Sequence, residues 1–187
     1  MKLRPYAIYK LTLSGAAFGL CLTAAPAAMA ACSDPAAPLV DWNDCDLTGR
    51  DLTGSDLRGA QLKDANLFEV NLRGADLGGA NLQGADLSMA NLTNANFENA
   101  RLIFASLVQA NLTNANFKNA TLWGAFLNDA TFNGTDFTGA DLYAAVLSDY
   151  APDLEEWIDV RNSGTAIFCR TTMLNGTVFY PDCPVVQ

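Results

Sequence analysis

Apolar residues recur at every fifth position between Cys45 and Asp149, without one insertion or deletion. The centre of each pentad is Leu or Phe in all 21 pentads, and the residue two before it is Ala in 16 of them. We number the five positions −2, −1, 0, +1 and +2, with the Leu or Phe at 0. This period fits neither a helix nor a plain strand. It predicts a solenoid, in which each unit buries its apolar side by stacking on its neighbours.

A second period of twenty residues indicates how the pentads are arranged. The segment Ala90–Phe97 recurs letter for letter at Ala110–Phe117. Four pentads per coil place such copies directly above one another. The pattern A-[D/N]-L-x-x over residues 45–149 resembles the pentapeptide-repeat family. That resemblance implies an all-β fold, a right-handed quadrilateral parallel β-helix with the Leu/Phe and Ala positions pointing inward.

The register predicts what lies inside and outside this tube. Inside, we expect an entirely apolar core, with Phe97, Phe117 and Phe137 stacked in one column. Outside, the aligned residues Asn71, Asn91 and Asn111 predict a ladder of side-chain hydrogen bonds. Glu98, which lies one coil below Lys118, predicts an exposed ion pair of small energetic value.

One outer surface departs from the repeat, because it carries large apolar residues where polar ones are usual. Ile103, Trp123 and Tyr143 occupy +1 positions twenty residues apart, and Phe104 and Phe126 extend the surface. We call these five residues the aromatic patch. A contiguous apolar patch of this size on a soluble monomer usually marks an interface. Two occupants stay open: the chain's own segment from Pro152 to Gln187, or another protein, including a second copy in a homodimer.

The first 30 residues have the organisation of a secretory signal peptide. Three basic residues precede an apolar run at 11–25, and a small-x-small cleavage site follows at Ala28–Ala30. We expect cleavage after Ala30 and a periplasmic or secreted protein. The alternative is an uncleaved membrane anchor, but a spanning helix needs about 20 apolar residues.

Four cysteines remain after the leader, in two pairs that flank the repeats. Their even number in an oxidising compartment predicts the disulfides Cys32–Cys45 and Cys169–Cys183. A rival interpretation stays open, because Met29–Cys32 loosely resembles a bacterial lipobox. In that case Cys32 carries a lipid, and the protein is attached to a membrane.

The ends of the array predict caps, which a solenoid requires. Residues 31–44 form the N-terminal cap, in which Trp42 continues an inner column as a degenerate pentad. Residues 150–187 form the C-terminal cap, with a short helix at 151–158. A β-hairpin follows, in which the runs 166–173 and 178–180 flank a turn at Asn175-Gly176.

Composition narrows the function classes. The sequence has no His, and no phosphate-binding Gly motif or metal-ligand spacing, so it predicts neither an enzyme nor a cofactor. Without the leader, 8 basic and 20 acidic residues remain, a net charge of −12. This charge argues against direct binding to nucleic acid or anionic membrane. It suits a basic partner, or it simply keeps the rod soluble.

The sequence therefore predicts an exported, non-catalytic solenoid that is structural or binds another protein through an outer face. The family resemblance adds an alternative, because some members are acidic rods that mimic duplex DNA and protect gyrase. A further alternative is an ice- or crystal-binding surface on the Asn/Thr face, although Arg73 and Asn133 interrupt its Thr column.

Overall fold

The computed structural model describes residues 32–146, 171–172 and 178–179, and its coils form a right-handed, four-sided parallel β-helix. Residues at the −1 position form parallel bridges with residues twenty positions later, from Asp41–Gln61 to Phe126–Val146. This spacing confirms four pentads per coil. We call the side made of the pentads that begin at Cys45, Ala65, Ala85, Ala105 and Ala125 side 1. Sides 2, 3 and 4 follow in chain order and begin with the pentads at Arg50, Ser55 and Ala60.

Main-chain hydrogen bonds between successive coils hold the tube together. Leu47 N donates to Asn66 O at 2.8 Å, and Gly49 N donates to Phe68 O at 2.9 Å. A third bond, from Arg50 N to Leu47 O, closes the corner at 3.1 Å. The pattern repeats along the array, so each coil is bonded to the one above on all four sides. A closed tube of this kind has no lateral sheet edge.

The amide of the +1 residue takes no part in this main-chain network. It is satisfied instead by the side chain at −1: Thr48 N donates to Asp46 Oδ1 at 3.1 Å, and Thr53 N donates to Asp51 Oδ1 at 3.1 Å. Asp and Asn form such local turns readily. This requirement explains why the repeat favours Asp or Asn at −1.

Each corner turns at the +2 residue, which has a positive φ. Gly54 and Asn94 are typical, with φ of 65° and 58°. Only Gly, and to a lesser extent Asn and Asp, adopt this left-handed conformation at low cost. The repeat accordingly favours Gly, Asn and Asp at +2, and bulky residues there are exceptions.

The core follows the predicted register, with one polar exception. The described central Leu and Phe side chains are buried, except that Phe132 is partly buried, and Phe97, Phe117 and Phe137 stack with ring centroids 4.7 Å and 5.3 Å apart. The expectation of an entirely apolar interior is wrong at Thr135, which is fully buried at a −2 position. Its hydroxyl donates to Leu112 O at 2.8 Å, so the burial leaves no unsatisfied donor.

The N-terminal end of the tube begins before the first regular pentad. Leu39 N donates to Arg58 O at 2.9 Å, and Trp42 lies fully buried in the inner column of side 4. The Arg50 guanidinium lies 5.7 Å from the centre of the Trp42 ring. The Cys32–Cys45 disulfide is present, and it fastens the N-terminal segment to the first coil.

Two short strands lie at the C-terminal end. Strand β1 (Thr171–Thr172) pairs antiparallel with β2 (Val178–Phe179), as the hairpin prediction requires. Thr172 also forms a parallel bridge with Asp141, so β1 adds one rung above side 4. The predicted helix at 151–158, the turn at Asn175-Gly176 and the Cys169–Cys183 pair lie outside the described residues. In the part of the chain that the structure describes, no helix has the length and apolarity needed to span a membrane.

Candidate interaction surface

Within the regular pentads, large outward apolar side chains lie on two adjacent sides, whereas the N-terminal cap adds the exposed Leu39 beneath Gly59 on side 3. From Cys45 to Val146, the outward positions of sides 2 and 3 hold only polar, charged or Gly residues. Outward apolar residues larger than Ala all lie on sides 4 and 1: Ile103, Phe104, Trp123 and Tyr143 on side 4, and Phe68, Met89, Val108, Phe126 and Val146 on side 1. This one-sided distribution is not expected of a surface that only keeps a rod soluble.

The structure brings the five residues of the aromatic patch together at the corner between sides 4 and 1. The rings of Phe104 and Trp123 lie 6.4 Å apart, and those of Trp123 and Tyr143 lie 5.9 Å apart. Phe104 is 57% exposed, Trp123 46%, and Phe126 and Tyr143 44% each. Ile103 is half-buried beside them. Phe104, Trp123 and Tyr143 therefore form a row of neighbouring rings with about half of their surface facing solvent, and Phe126 adds a half-exposed ring on side 1.

Phe104 occupies a corner position that a bulky residue adopts only at a cost. Its φ is 57°, in the left-handed region, where an L-residue is strained by roughly 1–2 kcal/mol. Its ring covers Gly124, because a Cβ at Gly124 would lie 2.5 Å from Phe104 Cε1. Gly124 is thus a member of the site that the sequence analysis missed. Gly124 follows Phe104 by twenty residues and therefore lies one coil above it, and this spacing is the signal that could have identified it.

Phe126 breaks a second rule of the repeat. It occupies a −1 position, in the column Ser106–Phe126–Val146, where Asp or Asn normally accepts a hydrogen bond from the +1 amide. An aromatic ring has no oxygen to accept this bond. With Phe126 at −1, apolar residues at +1 and the strained Phe104 at +2, the patch departs from the repeat at all three outward positions of the pentad. Such departures from local rules are expected at functional sites.

Side 1, which continues the patch around the corner, carries acidic but no basic residues. It carries Asp46, Glu69, Asp86 and Asp129 and no Lys or Arg between residues 45 and 146. The ion pairs of the described coils all lie on sides 3 and 4, where Arg58, Lys63 and Lys118 provide the cations. Hydrogen bonds from Thr48 lower the pKa of Asp46, so this carboxylate stays ionised at neutral pH. The pattern within single pentads does not reveal this combination of acidic and apolar residues, which emerges only when the pentads are sorted by side.

The predicted ladder of Asn71, Asn91 and Asn111 does not form, and a side-chain ladder lies instead on side 3. On side 3, Asn116 Nδ2 donates to Asn96 Oδ1 at 2.9 Å, and Asn96 Nδ2 donates to Asp76 Oδ1 at 2.7 Å. In the predicted column, Asn71 donates to Asp51, whereas no bond joins Asn71, Asn91 and Asn111 to one another within the described residues.

The predicted partner of Lys118 is also wrong. Lys118 Nζ lies 3.0 Å from Asp136 Oδ2 rather than beside Glu98. Burial acts to raise the pKa of Asp136, but hydrogen bonds from Thr138 and Lys118 outweigh it, so this pKa lies below its ordinary value. The pair is partly exposed and joins two successive coils of side 3.

The described part of the C-terminal segment lies at the end of the tube rather than over the patch. Thr172 stacks above Asp141, with Leu142 N donating to Thr172 O at 2.9 Å. Within residues 32–146, 171–172 and 178–179, no group of three or more Cys, Asp or Glu side chains is arranged to hold a metal ion. The described residues leave the aromatic patch exposed, as a surface that another molecule can contact.

The chain belongs to the pentapeptide-repeat family. The family model described as pentapeptide repeats matches residues 45–84, 75–114 and 110–149, which together make up more than half of the chain. No curated protein sequence matches the chain.

Two solved structures illustrate the similarity. A trypsin-treated form of QnrB1, a plasmid-mediated fluoroquinolone resistance protein, is 20% identical with a TM-score of 0.56. The match covers 71% of this chain and 64% of that one, less than two thirds of its length. At this identity the likeness shows the fold alone. A pentapeptide repeat protein from the thylakoid lumen of Arabidopsis thaliana is 29% identical with a TM-score of 0.45, over 71% of this chain and 83% of that one.

Proposed function

We propose that this protein is an exported, non-catalytic binding module whose aromatic patch contacts a partner protein. The observation that carries the proposal is that, between residues 45 and 146, every outward apolar side chain larger than Ala lies on two adjacent sides. Patches of this kind on soluble proteins usually mark interaction sites. The rest of the tube is a rigid scaffold that fixes the position of these residues.

The chemistry of the patch suits a binding hot spot. Trp and Tyr are among the residues that contribute most to protein interfaces, and Trp123 lies between Phe104 and Tyr143. The half-exposed rings have apolar area left to bury. Because main-chain ladders hold each ring on a closed tube, little conformational entropy is lost when a partner binds.

The strain at Phe104 supports the same proposal. A Phe at a left-handed corner is less stable than the Gly, Asn or Asp found at most of the other corners, so the fold alone does not account for it. Backbone strain of this kind clusters at functional sites. The proposal explains the residue as one retained for contact with a partner.

The test compares Trp123→Ser with Arg73→Ser, a matched substitution at a +1 position on side 2. Each variant and the wild type serve as bait for proteins of the envelope fraction of the exporting cell. We expect the wild type and Arg73→Ser to retain a common partner that Trp123→Ser loses, with unfolding temperatures that change little. Equal retention by all three baits would refute the proposal.

The other occupant of the patch, the chain's own segment from Pro152 to Gln187, gives a different result. If that segment covers the patch, Trp123→Ser lowers the unfolding temperature and makes the C-terminal segment sensitive to proteolysis, and no partner is lost. That result would assign the patch a structural role. Limited proteolysis of the same three proteins distinguishes the two cases.

Export is part of the proposal and has its own test. The signal-peptide pattern of residues 1–30 and the Cys32–Cys45 disulfide both support an oxidising compartment outside the cytoplasm. We expect mass spectrometry of the native protein to find Ala31 at the N-terminus and Cys32 oxidised. An intact Met1 would contradict cleavage, and a lipid on Cys32 would favour a membrane-attached protein.

A further inference from the structure

We infer that the partner of the aromatic patch presents a cationic, apolar protein segment, which lies along side 1 after crossing the corner at Phe126. The inference rests on the proposed function and adds the chemistry of the partner. It follows from the charges of side 1, from the way these charges alternate with apolar residues, and from the occupants that the same charges disfavour.

Charge distinguishes side 1 from the other three sides. Between residues 45 and 146, sides 2, 3 and 4 each contain at least one Lys or Arg, whereas all charged residues of side 1 are Asp or Glu. Glu69 and Asp129 are exposed at corners, and Asp86 is half-buried. In the described part of the chain, no cation pairs with any of them. Unpaired carboxylates along one face create a negative potential that attracts a positive partner and orients it.

The carboxylates of side 1 alternate with apolar side chains along the rod. Phe68 precedes Glu69 in one coil, and Met89, 49% exposed, follows Asp86 in the next. Val108 lies one coil above, and Asp129 follows in the coil of Phe126. Successive coils are about 4.8 Å apart, so this strip is roughly 15 Å long. A short segment that alternates basic and apolar side chains could contact every element of the strip.

The same charges disfavour the competing occupants. A second copy would bring two acidic sides together, and like charges at an interface cost binding energy. Duplex DNA and anionic lipid surfaces are themselves negative and would be repelled. A neutral apolar segment would bury the rings but would leave Glu69 and Asp129 without partners. A cationic segment satisfies both the apolar and the acidic residues of the surface.

Two synthetic peptides of equal length test the inference, one an amphipathic Lys/Leu sequence and the other its Glu/Leu counterpart. The protein variants are Glu69→Gln/Asp86→Asn/Asp129→Asn on side 1 and, as the matched control, Asp76→Asn/Glu98→Gln/Asp136→Asn on side 3. Asn keeps the oxygen that accepts the +1 amide, so both variants are expected to fold. Calorimetric titrations at low and high salt measure the affinity.

We expect the wild type to bind the Lys/Leu peptide and not the Glu/Leu peptide. Neutralising side 1 should weaken Lys/Leu binding about tenfold, because each exposed charge contributes a fraction of the affinity. The side 3 control should retain the wild-type affinity, and high salt should reduce the difference between the two variants. Equal binding of both peptides, or an equal loss from sides 1 and 3, would overturn the inference.

Failure of this inference can be distinguished from failure of the proposed function. If the patch binds a partner that is not cationic, the partner retained by the wild type is lost with Trp123→Ser but kept by the side 1 variant. If the patch binds no partner, Trp123→Ser retains everything that the wild type retains. The first result overturns the inference alone, and the second overturns both.

Discussion

At the scale of single residues, two of the three outward positions of the pentad have a defined chemical task. The −1 side chain accepts a hydrogen bond from the +1 amide, as Asp46 does for Thr48. The +2 residue adopts the left-handed turn, whereas neither the turn nor the main-chain ladder requires a particular +1 side chain. The +1 position is therefore the one most open to selection for contact with other molecules, and it holds Trp123 and Tyr143.

The register makes a sharp prediction for two neighbouring residues. Leu92 is fully buried, whereas Thr93 is partly exposed on the outside of the same pentad. Leu92→Asp should prevent folding, because a charge inside the narrow tube has no partner. Thr93→Asp should fold. Circular dichroism during thermal unfolding measures both, and an equal loss of cooperativity would show that the register is wrong.

The corner positions give a second prediction, which separates stability from binding. Gln109 and Phe104 both have left-handed φ angles, of 58° and 57°. Gln109→Asn should stabilise the protein by about 1 kcal/mol, because Asn tolerates this conformation better. Phe104→Asn relieves the same backbone strain and loses only the ring contacts of a half-exposed side chain. We therefore expect its free energy of unfolding to equal or exceed that of the wild type.

Denaturant titration measures the free energy of unfolding of these two variants. The proposed function adds that Phe104→Asn, but not Gln109→Asn, loses the partner. If Phe104→Asn were destabilised by more than about 1 kcal/mol, the ring would be a structural element and the strain argument would fail.

At the scale of elements, the polar ladder on side 3 is the most connected group outside the core. Asn96 donates to Asp76, accepts from Asn116 and also accepts from Glu98 N. Asn91, at the equivalent position on side 2, accepts from Thr93 N at 3.2 Å. Equal residue types at equal repeat positions therefore carry unequal numbers of hydrogen bonds.

This difference predicts unequal costs for two matched substitutions. Asn96→Ala should destabilise the protein by about 1–2 kcal/mol more than Asn91→Ala, because each lost hydrogen bond contributes about 1 kcal/mol. The free energy of unfolding in urea gives the comparison. Identical costs would mean that the side-chain ladder contributes nothing beyond the local bond to the +1 amide.

Much of the fold was predictable, because the period itself determines which residues stack. The twenty-residue spacing gave the bridges between coils and the stack of Phe97, Phe117 and Phe137. The sequence did not predict which Asn column is bonded or that Lys118 contacts Asp136, because rotamer choice decides these contacts. It also missed Thr135, whose small hydroxyl finds a carbonyl inside the tube.

The candidate site was predictable only where a residue type broke the repeat. Trp123 and Phe126 are conspicuous because polar residues are usual at their positions. Gly124 is a normal corner residue, and its contact with Phe104 depends on the direction of a side chain one coil below. The acidity of side 1 depends on sorting residues by side and not only by pentad position, so a search within each pentad does not reveal it.

At the scale of the whole molecule, the carboxylates couple stability to pH. Hydrogen bonds from Thr48 and Thr53 lower the pKa values of Asp46 and Asp51. A carboxyl whose pKa is lower in the folded state stabilises the fold at pH values above its unfolded pKa, about 3.9. That stability is lost as the pH falls through the folded pKa. We therefore expect the unfolding temperature to fall below about pH 4.

The variant Asp46→Asn/Asp51→Asn tests this coupling. Asn keeps the acceptor oxygen but does not titrate, so the variant should lose less stability than the wild type between neutral and acidic pH. Scanning calorimetry over a pH series gives both curves. Parallel curves would show that these two carboxylates do not contribute to acid sensitivity.

The side-chain ladders also give the rod a direction. Asn71, Asn81, Asn96 and Asn116 each donate their Nδ2 hydrogen to the coil on the N-terminal side. In the first coil the −1 residues are all Asp and only accept; they are Asp41, Asp46, Asp51 and Asp56. A duplication of twenty codons within the array would lengthen the rod by one coil and leave these four Asp side chains unchanged. New coils added in front of Asp41 would bury these four carboxylates under another layer. We therefore expect the length of the rod to change by duplication within the array and not by addition before Asp41.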